Sequence, residues 1–105
     1  MNYPIGILNN KKAVVAANTV VENLAGESVL LDLESLTYTS LDDVATQMFV
    51  ALTNSESIES AYQTLLSEYD VEPELLRQDL SSYIEQLLEQ GLIEIQEIEE
   101  PELSR

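Results

Sequence analysis

The chain has 105 residues, enough for one domain around one core, and its twenty acidic residues against four basic ones give a formal net charge of −16 at pH 7. Lys11, Lys12, Arg77 and Arg105 are too few and too scattered to neutralise a run of phosphates, which excludes DNA and RNA as partners. Cysteine and histidine are absent, so thiolate nucleophiles, sulfur- or imidazole-bound metals and the usual general base are unavailable, and neither a metal nor a cofactor is expected.

In chain order, residues 1–18 read as a partly ordered N-terminal arm. Pro4, Gly6 and the Asn9-Asn10 pair interrupt any periodicity, although an Ile5-Ile7-Leu8 patch is available to dock. No basic start leads into a long apolar run, and no apolar stretch reaches about 18 residues. A cytoplasmic protein without membrane contact is expected.

From Thr19 the pattern is extended. "TVVENL", "SVLLDL" and "LTYTS" are three β-rich runs separated by Ala25-Gly26-Glu27 and by Glu34-Ser35, a hairpin spacing that predicts an antiparallel meander. The period then changes. Leu41, Val44, Ala45, Met48, Phe49 and Leu52 fall on one face of a helix of about three turns, with Ser40 placed to cap it and Asp42 and Asp43 in its first turn. A second amphipathic helix carries Ile58, Ala61, Tyr62, Leu65, Leu66 and Tyr69, with Ser57 as its cap. Pro73 reads as the first residue of a third, with Leu76, Leu80, Tyr83, Ile84, Leu87 and Leu88 on its stripe and Gly91 as its stop. Beyond Ile93 the run "IEIQEI" alternates like a short strand. Its glutamates and Pro101 fit a frayed acidic tail equally well, and residues 94–105 are assigned to that tail.

The order predicts an α+β fold over residues 19–93, winged helix-turn-helix-like, with a three-stranded antiparallel sheet followed by three helices. Much of so small a sheet is edge. Acid pairs such as Asp42-Asp43 have no histidine, basic partner or evident apolar pocket to raise a pKa, so no catalytic residue is assigned. "TSLDDV" resembles the phosphopantetheine site of acyl carrier proteins, but Thr39 stands where that family has aspartate, and strands replace its long upstream helix. Ser40 is therefore read as a helix cap.

Protein recognition remains. "VLLDLESLTY" followed by "TSLDDVA" and "MF" (Val29 to Phe49), "LLSEYDVEPELLRQDL" (Leu65 to Leu80) and "LLEQGLI" (Leu87 to Ile93) resemble, in order, the PqqD-like family. Its members are the precursor-recognition elements of pathways that modify ribosomally made peptides (RiPPs), including lasso-peptide and PQQ-like pathways. The resemblance implies a non-catalytic protein. Such a protein adds the leader segment of a precursor peptide as a strand to its third strand and presents the precursor to a modifying enzyme, a protease, a radical-SAM enzyme or another.

Carried onto this chain, the open edge is Leu36, Thr37, Tyr38, Thr39 and Ser40, and the facing helix contributes Asp79, Tyr83 and Gln86. Tyr83 also fits a plain core position on the apolar stripe. Leu36 stands where the family commonly has glycine, which implies a turn with no need of a positive φ there. The other reading open at this point is an acidic winged-helix-like adaptor that docks on a larger protein without binding a leader.

Overall fold

Ala25 (φ +52°) and Gly26 (φ +90°) both lie in the left-handed region, as a two-residue type I′ hairpin turn requires. They join strands that match the twist of that turn. The computed structural model describes residues 10–98, which hold five strands and three helices: β1 (Lys11–Val15), β2 (Thr19–Leu24), β3 (Glu27–Asp32), β4 (Thr37–Leu41), α1 (Asp43–Asn54), α2 (Ile58–Glu68), α3 (Pro73–Glu89) and β5 (Ile93–Glu97). Strands β2, β3 and β4 form an antiparallel sheet in that order, and three helices follow it, the α+β plan expected from the sequence.

A second sheet was not foreseen. Lys11–Val15, assigned to the arm, pair antiparallel with Ile93–Glu97, assigned mostly to the acidic tail, with Lys11 opposite Glu97 and Val15 opposite Ile93. The Lys11 ammonium and the Glu97 carboxylate form an ion pair across the rungs. Ala13 is fully buried at the centre of β1, which packs on α1 and α2. β1 lies within the segment read as the arm, and β5 starts at the last residue of the 19–93 segment and runs on from it. Ile5, Ile7, Leu8 and Pro101 lie outside the described residues.

The turn between β3 and β4 corrects a second expectation. Leu36 has φ +59°. Leu33 to Leu36 make a four-residue connection in which the Leu36 N–H donates to the Asp32 carbonyl at 2.7 Å and the Glu34 N–H to the Asp32 carboxylate at 2.9 Å. Reversing the chain in so few residues demands a left-handed last residue whatever its side chain. An L-residue there is strained by about 1–2 kcal/mol, part of which glycine returns as lost chain entropy. Leu36→Gly should therefore stabilise the fold by about 0.5 kcal/mol, read as a higher urea midpoint with an unchanged m-value.

Helix starts follow from side chains that accept orphan N–H groups. Asp42 caps α1, accepting from the Ala45 N–H at 2.8 Å, and Ser57 caps α2, accepting from Ser60 at 3.0 Å. Ser40 is not a cap. Strand β4 continues to Leu41, whose side chain is buried on the sheet's inner face, so the first turn begins two residues later than Ser40 would place it. Pro73 opens α3, and Gly91 (φ +72°) closes it in a Schellman arrangement, with the Leu92 N–H on the Leu87 carbonyl and the Gly91 N–H on that of Leu88.

Helix α1 packs against both sheets and against α2. Buried Phe49 and Leu52 of α1, Ile58, Tyr62 and Leu65 of α2, and Leu76, Leu80, Ile84 and Leu87 of α3 close over Leu30 and Leu41. Within this core the Ser28 hydroxyl lies 2.8 Å from that of Thr46, which itself donates to the Leu41 carbonyl at 3.3 Å. The chain of three satisfies two buried hydroxyls and fixes α1 against β3 and the end of β4. Among the described residues no helix is long and apolar enough to cross a membrane.

Candidate functional site

Strand β4 is the last in its sheet, so every second residue along it turns its N–H and C=O outward with no strand among the described residues to receive them. Its register fixes which side chains face where. Thr37, Thr39 and Leu41 pair with Asp32, Leu30 and Ser28 and share the inner face with the buried Leu30 and Ser28. Tyr38 and Ser40 pair with Leu31 and Val29 on the opposite, solvent-facing side. Thr37, Tyr38 and Ser40 are exposed and Thr39 half-buried.

Helix α3 packs on α2 and β5, and its C-terminal end reaches the inner side of the β4 edge. Asp79, Tyr83, Gln86 and Gln90 are spaced four, three and four residues apart, which sets them along one flank of the apolar stripe. Two contacts aim that flank at β4. The Tyr83 hydroxyl donates to the Ala45 carbonyl at 2.9 Å, in the first turn of α1 just beyond β4, and Thr39 Oγ1 comes within 3.5 Å of Gln90 Oε1. Gln86, between these ties, and Asp79, one turn before them, remain exposed. The opposite flank is occupied, with the Arg77 guanidinium 4.3 Å from the centre of the Tyr62 ring. A seam thus runs between the β4 edge and the Asp79–Gln90 flank, with acidic and neutral side chains.

Tyr83 takes the core position weighed from the sequence. Its ring is half-buried against the core and its hydroxyl spans to α1. Burial, and then the negative charge of Asp42, push its phenol well above the ordinary tyrosine range. Because the unfolded chain loses that proton near pH 10 while the folded chain keeps it, the stabilisation is intact below about pH 10 and is lost as pH rises beyond it. Denaturation midpoints measured across alkaline pH should fall less steeply for Tyr83→Phe than for the native chain. The variant should also cost about 1 kcal/mol at neutral pH through the lost hydrogen bond.

Gln90 is absent from the residues named from the sequence, where Gly91 marks the end of the helix. Its signal was available, since it lies four residues beyond Gln86 and seven beyond Tyr83 on the same flank. Asp42 belongs with it as the charge closest in effect to the Tyr83 phenol.

No curated protein sequence matches the chain. Among solved structures it is similar to "TbiB1 in Complex with the TbiA(beta) Leader Peptide", with a TM-score of 0.70, 25% identity, and coverage of 77% of this chain and 94% of that one. It is also similar to "Lasso peptide synthetase B1 complexed with the leader peptide", with a TM-score of 0.69, 27% identity, and coverage of 79% and 98%. Residues 27–93, from the start of β3 to the start of β5, match the family described as Coenzyme PQQ synthesis protein D (PqqD). That span is well over half of the sequence and holds both walls of the seam, and the chain therefore belongs to the PqqD family.

Proposed function

We propose that the chain captures the leader segment of a ribosomally made precursor peptide and presents it to a modifying enzyme, doing no chemistry itself. The observation that carries this reading is the β4 edge, unpaired among the described residues, set beside the exposed Asp79 and Gln86 of α3, in a family member similar to two proteins solved with leader peptides.

The leader adds antiparallel to β4. Backbone groups of residues 36–40 supply sequence-tolerant hydrogen bonds, each contributing about 1 kcal/mol net, while side chains on the inner face of the added strand meet Thr37, Thr39 and the α3 flank of Asp79, Tyr83, Gln86 and Gln90. The Tyr83–Ala45 tie fixes α3 to the helix that follows β4, so α3 is already placed before the peptide arrives, which lowers the entropy lost on binding. The acidic surface suits a leader or a modifying enzyme, whether protease, radical-SAM enzyme or another, with a basic face, and the cytoplasm is the compartment in which a precursor would be met.

The test is a titration of isotope-labelled protein with the leader peptide of a precursor encoded beside it, followed by amide NMR. Shifts gathered on Leu36 to Ser40 and on Asp79, Tyr83, Gln86 and Gln90 are expected. Shifts confined to Glu94–Glu97 and the residues after them would rule the mechanism out in favour of an adaptor held by its acidic end.

A further inference from the structure

The solvent face of the three-stranded sheet carries an apolar row that stops at the proposed peptide edge. Val20 of β2 pairs with Leu31 of β3, and Leu31 pairs with Tyr38 of β4, so the three side chains stand in line across the strands. With Val29 and Glu22 they line a shallow depression of about 400 Å³. The core packing uses the other face, where Ser28 and Leu30 are buried, and Tyr38 is left 72% exposed and Val20 42% exposed. Leu36, 75% exposed and strained, stands at the start of the same edge, so the turn bears the cost of an L-residue without burying its side chain.

A strand added to β4 has side chains on both faces. Those of one parity enter the seam against α3, and those of the other parity emerge on the solvent face, one of them directly opposite Tyr38. That residue becomes the fourth member of the Val20–Leu31–Tyr38 row. We infer that this row is a second reading surface for the leader, selecting an apolar or aromatic side chain at the position opposite Tyr38, out of phase with the anchors that meet α3. The inference rests on strand addition as proposed above and names a further requirement on the bound peptide. It assigns to Tyr38, Leu31 and Val20 a part in specificity that the seam alone would not give them.

A displayed library of random peptides of about twelve residues, selected on the full chain, is the probe. Binders are expected to carry apolar preferences at positions of both parities. Repeating the selection on Tyr38→Lys and on Tyr38→Ser should erase the preference of one parity and leave the other, and the high exposure of Tyr38 leaves the fold of both variants intact.

For one binder from the native selection, replacing its outward apolar residue by serine should weaken binding to the native chain about fivefold and to Tyr38→Ser by less than about twofold. An apolar preference at one parity only, or equal losses against both proteins, would overturn the inference while leaving strand addition standing. Binders with no alternation in any selection, and with no effect on the amide resonances of β4, would overturn both.

Discussion

Two N-methyl groups on alternate leader residues should weaken binding about a hundredfold when those residues turn their N–H toward β4, and by less than about threefold when both groups are moved one residue along. In the first phase each methyl removes a donor from the β4 ladder and leaves a carbonyl of the edge without its partner. Losing two such bonds at about 1–3 kcal/mol each gives the expected factor. In the second phase the methyls point away from β4. Isothermal titration with the two peptides distinguishes strand addition from a peptide held in the seam by side chains alone, for which the losses would not depend on phase. No substitution in the protein is needed, so an altered fold cannot mimic the result.

A chain of residues 19–93 alone should melt more than about 10 °C below the full protein. It lacks β1, whose Ala13 is fully buried and whose Val15 packs on the core, and it lacks Ile95 of β5, so α1 and α2 lose part of their cover. Roughly 120 Å² of apolar surface returned to water is sufficient to cost about 3 kcal/mol, and in a domain of this size each kcal/mol moves the midpoint by about 4–8 °C. The exposed Lys11–Glu97 pair adds little to that difference. Equal melting temperatures by circular dichroism would show that the two-stranded sheet is an appendage to the family domain rather than part of its core.

What could be read from the sequence was local. Thr19–Leu24 announced itself as a strand through β-branched residues bounded by a turn, Ser57 and Pro73 marked helix starts by their own chemistry, and Gly91 marked a stop. Leu41 illustrates the limit. It sits at the right spacing to begin the α1 stripe and is buried as such a residue would be, yet its burial comes from being the last inward residue of β4. Periodicity alone does not separate the two, so the cap fell on Ser40 instead of Asp42. Leu36 marks a different limit, because a side chain's preference does not set the backbone conformation where hairpin geometry overrides it. In the candidate site, Leu36 to Ser40 and Asp79, Tyr83 and Gln86 came from the family resemblance, and the structure adds that β4 ends its sheet. The tie from Tyr83 to Ala45 and the approach of Gln90 to Thr39 depend on how α3 packs, which no local pattern encodes.

The pairing of β1 with β5 also sets a timetable. Lys11 and Glu97 are 86 residues apart, whereas the β2-β3-β4 meander and the three helices close through near neighbours. On a growing chain the meander and helices form as they emerge, while β1, which precedes them, waits for β5 until all of them have followed it. During that wait it is an unpaired strand of the kind that templates aggregation. Two of the four basic residues in this very acidic chain, Lys11 and Lys12, lie in that strand, where like charges keep one nascent copy from pairing with another and the acidic β5 is the complement they await.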